Sequence, residues 1–247
     1  MAALLEARSS EYLVSSRKAP SNLDSAYTGV QALSVGAAPG LDELEILDQL
    51  SRKVCFAARE TIFQQNERSN SVYTITSGSV RLCKLLRDGR HQIVGFALPG
   101  DFLGLSMSDH NAFSADALTA VTACKSSRQA FSDLVDGNPR VLRRLHSVVS
   151  HELSLAQDQM VILGLRSAHE KVAAFLMGLH ERWSRIDGSK VYVPLPMKRQ
   201  DIGDFLGLTV ETVSRMFTRL AREKAIIIVP DGVRLLDVAR LEALAQC

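Results

Sequence analysis

The 247-residue sequence predicts an α+β protein in which two small domains are joined by a long helix. Three observations support this fold class. Short β-type runs separated by turn signals fill residues 52–130. A long segment after Pro139 repeats apolar residues every three or four positions, and the C-terminal part orders two short helices before a β-hairpin. The composition, 46% hydrophobic and 23% charged, is that of a soluble globular protein.

The N-terminal residues 1–40 are rich in Ala, Ser and Gly and contain the breakers "KAPSN" and "GAAPG", so we expect a mobile arm. The stretch "LDELEILDQL" at 41–50 has the spacing of an amphipathic helix. An early Glu6 and a short apolar stretch are not typical of a signal peptide. No apolar run approaches the roughly 20 residues that span a membrane, so we expect a cytoplasmic protein without membrane contact.

The predicted β domain occupies residues 41–137. Its candidate strands are "ETIFQQNER", "SVYTITSGSVRLCKLL", "RHQIVGFAL" and "DALTAVTACKSS". The "RDGR" segment at 87–90 places Asp-Gly between two such runs, which is a strong hairpin signal. Several strands at this spacing indicate a compact antiparallel barrel or sandwich.

A long helix is predicted across residues 138–170. Its apolar positions recur at spacings near three and four, as in a coiled-coil seam that a partner helix would cover. The alternative is a helix that packs only on its own domain. We favour dimerisation, because a long helix between two small domains has few neighbours within one chain. The seam residues are Leu142, Leu145, Val149, Leu153, Met160 and Leu163.

The C-terminal domain, residues 171–247, begins with the short strand in "DGSKVYVPLP". Two helices follow, joined by "GLT", and then two strands flank the turn Pro230-Asp231-Gly232. A helix, a glycine-containing turn, a second helix and a β-hairpin are the order of elements in a winged helix-turn-helix.

The second of these helices has two different faces. Glu211, Ser214 and Arg215 share one face, because positions i, i+3 and i+4 are neighbours on a helix. In the major groove, Arg215 could pair with guanine O6 and N7, Glu211 could accept from cytosine N4, and Ser214 could pack on a thymine methyl. The alternative is an ordinary surface pair of Glu211 with Arg215.

Other residues near this helix are expected to support DNA binding. Thr209 is the predicted N-cap. The remaining four are expected to contact the DNA backbone and fix the register: Lys198, Arg199, Thr212 and Arg219. The net charge of the chain is only +2, but its basic surplus lies in this C-terminal part. A surplus of this size is compatible with nucleic-acid binding.

The four cysteines are scattered, without a CxxC pair or metal-ligand spacing, so we expect neither a zinc site nor a disulfide framework. Cys83 and Cys124 are candidates for redox modulation if either thiol is exposed. The sequence shows no nucleophile–base pattern, P-loop or metal motif, so we do not expect an enzyme.

The segment "RQDIGDFLGLTVETVSRMFTRL" strongly resembles the DNA-reading segment of the CRP/FNR family of bacterial transcription regulators, in the FNR and FixK branch. "TITSGSVRL", "LPGDFLGL" and the hairpin at Asp88-Gly89 resemble the cyclic-nucleotide-binding-type β-roll of that family. The resemblance covers about residues 41–236. It implies a homodimer, a two-fold symmetric operator with TTGA(T/C) half-sites read by Glu211, Ser214 and Arg215, and contacts with RNA polymerase.

Departures from the family pattern bear on what is sensed. FNR proteins hold a [4Fe–4S] cluster with three N-terminal cysteines, whereas residues 1–54 here contain none, and only Cys124 stands where the fourth ligand lies. Where receptors of cyclic AMP carry a Glu and an Arg-Ser pair, this sequence reads Leu105-Ser106-Met107 and Phe113-Ser114. We therefore expect no bound cofactor.

Taken together, the sequence predicts a FixK-like transcription activator of low-oxygen, respiratory or nitrogen-metabolism genes, including nitrogen fixation. Two alternatives remain open. One is a ligand-gated sensor that binds haem, through His91 or His110, or another small molecule in the β-roll. The other is a regulatory module that uses the helix face against a protein partner.

Overall fold

The computed structural model describes residues 51–105, 108–188 and 190–246 and confirms the predicted α+β class. The predicted arm at 1–40, the predicted helix at 41–50, Ser106, Met107 and Cys247 lie outside the described residues. No helix in the described part of the chain has the length and apolar character to cross a membrane.

The β domain consists of two four-stranded antiparallel sheets, ordered β1-β8-β3-β6 and β2-β7-β4-β5. Each predicted run contains at least one strand. Strands β1 and β6 lie outside the predicted runs; β6, with two residues, is too short to show alternation. The strands are β1 Ser51–Phe56, β2 Thr61–Phe63, β3 Ser71–Ser77, β4 Val80–Leu85, β5 His91–Ala97, β6 Phe102–Leu103, β7 Ser114–Ala117 and β8 Val121–Ser127.

The two sheets enclose a core of side chains that alternate along the strands. On β3, Tyr73 and Ile75 are buried, and on β8, Val121 and Ala123 are buried. The predicted hairpin joins β4 to β5, with the Gly89 N–H donating to the Leu86 carbonyl at 3.0 Å. Gly89 has φ +84°, which explains the glycine at this turn.

Three helices follow the β domain: α1 Arg128–Gly137, α2 Pro139–Leu165 and α3 Ala168–Asp187. Asn138 caps α2 by accepting from the Arg140 N–H at 3.0 Å, and Pro139 occupies its first turn. The sequence did not predict α1.

The prediction of one helix over 138–170 is wrong, because the structure has two helices there. Arg166 and Ser167 lie between them and are not helical. The Ser167 hydroxyl accepts from the Glu170 N–H at 3.4 Å, and the Glu170 carboxylate accepts from the Ser167 N–H at 2.8 Å. This reciprocal capping box starts α3 as a separate helix. The helix that precedes the C-terminal sheet therefore begins at Ala168.

The C-terminal domain has the predicted winged helix-turn-helix order, completed by a last helix that the sequence did not predict. Its three-stranded sheet has the order β10-β11-β9. Besides α3, its elements are β9 Tyr192–Pro194, α4 Arg199–Leu206, α5 Val210–Arg222, β10 Ile226–Val229, β11 Gly232–Leu235 and α6 Val238–Gln246.

The core of the C-terminal domain extends into the β domain. Ile93 and Phe96 of β5 belong to the same buried cluster as Phe175 of α3 and Ile202 of α4. The two domains therefore share apolar packing within one chain.

Candidate nucleic-acid interface

Helix α5 separates its side chains into a buried and an exposed face. Val213, Phe217 and Leu220 are at most 1% exposed and pack in the core of the C-terminal domain. Glu211, Ser214, Arg215, Thr218 and Arg219 are exposed. We call Glu211, Ser214 and Arg215 the outer face of α5. The structure brings these three predicted residues together on the surface, as the helical spacing requires.

The start of α5 is fixed by its predicted cap. The Thr209 hydroxyl accepts from the Thr212 N–H at 3.2 Å, and Thr209 has the extended backbone of an N-cap. Glu211 lies in the first turn, where its charge suits the positive end of the helix dipole. The amino end of α5 is therefore built as a defined, exposed helix start.

The turn between α4 and α5 depends on a close backbone approach. Gly207 ends α4 with φ +64°, and the Leu208 N–H donates to the Gly203 carbonyl at 2.9 Å. A Cβ placed on Gly203 would lie 2.6 Å from the Leu208 carbonyl oxygen. The angle between the two helices therefore requires glycine at position 203.

Arg215 is not paired with Glu211. Its Nη2 donates to the Thr212 hydroxyl at 3.2 Å, and the described residues show no ion pair between the two charged side chains of the outer face. The surface ion pair of Glu211 with Arg215, which was the alternative to DNA contact, is therefore not formed. Both charges remain available to an external partner.

Arg199 has a different environment from the one predicted. Its guanidinium lies 3.2 Å from the centroid of the Phe217 ring, so the cation stacks on the buried side of α5. Burial lowers the pKa of Arg199 to about 10, which still leaves it charged at neutral pH. Contact of Arg199 with a DNA phosphate remains a prediction. Its stacking on Phe217 was not predicted from the sequence.

The other supporting residues lie at the edges of the two helices. Lys198 is exposed at the start of α4. Arg219 donates from Nε to a Glu223 oxygen at 2.8 Å, and Arg240 donates to the other oxygen at 2.8 Å. The Arg219 hydrogen bond is the main reason why the pKa of Glu223 is lowered. This network at the carboxyl end of α5 was not predicted.

The two candidate redox cysteines occupy different environments. Cys83 is buried, and burial raises the pKa of its thiol, which disfavours the reactive thiolate. Cys124 on β8 is half-buried. Among the residues that the structure describes, no group of three or more His, Cys, Asp or Glu side chains could hold a metal ion. His91 and His110 are both exposed and lie in separate segments.

The predicted seam on α2 is largely uncovered in a single chain. Leu142, Val149, Leu153 and Met160 are 51%, 50%, 59% and 70% exposed, and Leu145 is half-buried. Val141, near the amino end of α2, is buried instead. Leu163 differs from the others, because its Cδ2 lies 3.6 Å from the Cβ position of Gly207, in the turn before α5. Between Leu142 and Met160, α2 thus presents an apolar stripe to solvent.

Two protein-family models match this chain. Residues 53–138 match the cyclic nucleotide-binding domain family, and residues 170–244 match the Crp-like helix-turn-helix domain family. The chain is 50% identical to the transcriptional activatory protein AadR of Rhodopseudomonas palustris, over 89% of this chain and 92% of that protein.

It is 53% identical to the nitrogen fixation regulation protein FixK of Bradyrhizobium diazoefficiens, over 82% of this chain and 86% of that protein. Among solved structures, FixK2 from Bradyrhizobium japonicum superposes with a TM-score of 0.73 at 33% identity, covering 78% of this chain and 96% of that one. Both halves of the molecule, and their order, are thus found in relatives that regulate transcription.

Proposed function

The chain belongs to the CRP/FNR family of transcription regulators, in its FixK-like branch, and we propose that it activates genes by binding a palindromic operator as a homodimer. The proposed operator has the form TTGA(T/C)-N4-(G/A)TCAA. The target genes would serve low-oxygen respiration or nitrogen metabolism, in keeping with the relatives named for nitrogen fixation. The proposal includes contacts with RNA polymerase at the promoter and a place in the cytoplasm.

The observation that carries the proposal is the outer face of α5. Its acid, hydroxyl and guanidinium are exposed together just after the Thr209 cap, without an ion pair between Glu211 and Arg215. Recognition helices meet base edges with their amino-terminal residues, which is where these side chains stand. Arg215 can form two hydrogen bonds to guanine, and Glu211 can accept from the paired cytosine. An acid beside an arginine favours base reading over contact with phosphates alone.

The stripe on α2 supports a dimer. A helix of 27 residues whose large apolar side chains are about half exposed leaves a surface that monomers rarely keep. Pairing two copies of α2 would bury this stripe, as in a two-stranded coiled coil. It would also place two α5 helices about a two-fold axis, matching a palindrome whose half-sites lie about one turn, roughly 34 Å, apart.

The interior of the β-roll supports activity without a bound cofactor. Phe113 stands where cyclic AMP receptors carry an arginine, and its ring lies 6.1 Å from that of Phe63, which is 9% exposed. The Phe63 ring in turn stacks on Tyr73 at 6.0 Å. An anionic phosphate placed among these aromatic groups would lose hydration without gaining a cationic partner. The β-roll is therefore better suited to a structural role than to nucleotide binding.

The test is fluorescence anisotropy of the purified protein, without added ligand, on the palindrome and on a scrambled duplex at stated salt. We expect sequence-dependent binding by the wild-type protein. Arg215→Ala should lose about 1–3 kcal/mol on the palindrome and most of its preference for the G·C pair. Arg222→Ala, which removes an exposed charge from the same helix, is the matched control. It should weaken binding to both duplexes slightly and equally.

Equal binding of both duplexes by the wild-type protein would contradict the proposal. If specificity appeared only after addition of haem or another small molecule, the ligand-gated alternative would replace the cofactor-free one. Unchanged binding by Arg215→Ala would mean that the outer face of α5 serves a protein partner instead.

A further inference from the structure

An ion-pair cluster joins the β domain directly to the helix-turn-helix. Arg81 of β4 donates from Nε and Nη2 to one oxygen of Asp116 of β7, each at 3.2 Å. Its Nη1 donates to an oxygen of Asp201 of α4 at 3.1 Å. The Asp201 side chain is only 7% exposed, against 38% for Arg81 and 20% for Asp116. One arginine thus holds a carboxylate from each domain.

Asp201 also organises the helix on which it stands. Its second carboxylate oxygen accepts from the Lys198 N–H at 2.8 Å, where that donor would otherwise lack a partner at the start of α4. The carboxylate therefore divides its two oxygens between the backbone of α4 and the guanidinium of the β domain. A shift of α4 away from the β-roll would break the Arg81 contact and leave Asp201 poorly compensated.

Further contacts join the β domain to helices α3 and α4. The Gln92 side-chain amide of β5 donates to the Asp204 carbonyl of α4. The Phe96 ring of β5 lies 5.4 Å from the Phe205 ring of α4. Arg182 of α3 donates to the Phe96 carbonyl at 2.8 Å and pairs with Asp101. The interface thus contains an aromatic contact with polar contacts around it.

Movement of α4 has a direct route to the outer face of α5. The Gly203 carbonyl of α4 accepts from the Leu208 N–H in the turn, at 2.9 Å, and a Cβ on Gly203 would lie only 2.6 Å from the Leu208 carbonyl oxygen. Helices α4 and α5 therefore move together. The position of α4 against β4 and β5 consequently fixes where the outer face of α5 stands relative to the rest of the protein.

We propose that Arg81 is a positioning residue for DNA recognition: by holding Asp201, it fixes the helix-turn-helix against the β-roll at the orientation that the operator requires. The inference rests on the proposed function, since it concerns the same DNA site. Arg81 itself touches no base. Its removal affects how two half-sites are met together, whereas the base preference within a half-site stays with Glu211 and Arg215.

The experiment compares Arg81→Gln with Arg90→Gln, which removes an arginine from the exposed hairpin of the same sheet, where its ion pair among the described residues is with its neighbour Asp88. Anisotropy is measured on palindromes with four-base and five-base spacers, and on a palindrome whose half-site G·C pairs are replaced. Hydrogen exchange of the amides at 199–208 reports on α4 without DNA. Urea unfolding and the mass of the assembly in solution control for folding and dimerisation.

We expect Arg81→Gln to bind the four-base palindrome about tenfold more weakly, a change of about 1.4 kcal/mol. Its preference for the four-base over the five-base spacer should fall, while its discrimination at the G·C pair is retained. Exchange at 199–208 should quicken. Asp201→Asn should behave similarly, and the double variant should lose little more than either single one, because both act on one contact. Arg90→Gln should match the wild type in every assay.

Unchanged exchange at 199–208 in Arg81→Gln would overturn the contact as a restraint on α4. Quickened exchange with wild-type affinity and spacer preference would overturn the positioning role. If the wild-type protein bound no palindrome selectively, the proposed function would fall and the positioning role with it, while the exchange result would still decide whether Arg81 holds α4.

Discussion

Replacing Gly203 with alanine should destabilise the helix-turn-helix, whereas the same change at Gly178 should stabilise the protein. Both glycines lie within helices, α4 and α3 respectively, and neither has a positive φ. A Cβ on Gly203 would meet the Leu208 carbonyl oxygen at 2.6 Å, well below the 3.4 Å at which ordinary contact begins. A Cβ on Gly178 would meet nothing within 4 Å.

The expected magnitudes follow from this difference. Alanine is favoured over glycine in a helix interior by about 0.8–1.0 kcal/mol, which is the gain expected for Gly178→Ala. At Gly203 the same gain is opposed by overpacking, which costs about 1–3 kcal/mol in ordinary cores and here acts against backbone that cannot rotate away. Because the contact is with backbone, we take the upper part of that range, about 2–3 kcal/mol, and expect Gly203→Ala to lose about 1–2 kcal/mol net.

Urea unfolding followed by circular dichroism measures both variants, and anisotropy on the palindrome measures the consequence for DNA. Gly203→Ala should also bind more weakly than its stability loss alone explains, because relieving the contact changes the angle between α4 and α5. Equal stability of the two alanine variants, or wild-type DNA affinity of Gly203→Ala, would refute the argument that the turn requires a glycine.

Three further predictions concern other parts of the molecule. Leu153 is 59% exposed in one copy, so Leu153→Glu should leave the single chain folded. The new charge lies in the predicted seam, so light scattering should find a monomer; a persistent dimer would place the seam elsewhere. Iodoacetamide should modify exposed Cys55 well before Cys83, whose thiol is buried and has a raised pKa, as peptide mass spectrometry can show; equal rates would contradict this order. Burial and the nearby charge of Arg219 lower the pKa of His169. The unfolded chain therefore binds a proton more readily at this histidine, and the free energy of unfolding should decrease as the pH falls below the ordinary His pKa of about 6.5. His169→Gln should flatten that part of the urea-midpoint curve, and an unaltered curve would exclude this histidine as the cause.

The two faces of α5 were predictable because their cause is local. The spacing of Val213, Phe217 and Leu220 against Glu211 and Arg215 determines which side of a helix is buried, and the structure agrees at each position. The β-hairpin at 87–90 was predictable for the same reason, since turn chemistry depends on neighbouring residues.

The break before α3 shows where local patterns compete. Apolar residues continue at helical spacing through the break, so the period alone predicted one helix. Ser167 and Glu170 form the sequence signature of a capping box, so a signal for the break was present in the sequence. The polar cap determines the structure here, because its hydrogen bonds satisfy the N–H groups at the start of a second helix.

The contact between the domains could not be predicted from the sequence. Arg81 and Asp201 are separated by 120 positions, and each alone resembles an ordinary surface charge. The stacking of Arg199 on Phe217 was equally hidden, because an arginine next to a recognition helix is expected to contact phosphate. Such pairings depend on how the domains pack, which local patterns do not report.

The division of α5 into two faces also bears on how such regulators diverge. Positions 211, 214 and 215 are exposed, so substitutions there should cost little stability. A duplicated gene could therefore acquire a new operator preference in few mutational steps while its product still folds. Arg199 and Phe217 have no such freedom, because each covers the other. Grafting a foreign recognition helix onto this scaffold should succeed when that helix keeps an aromatic ring at position 217 for Arg199 to stack on.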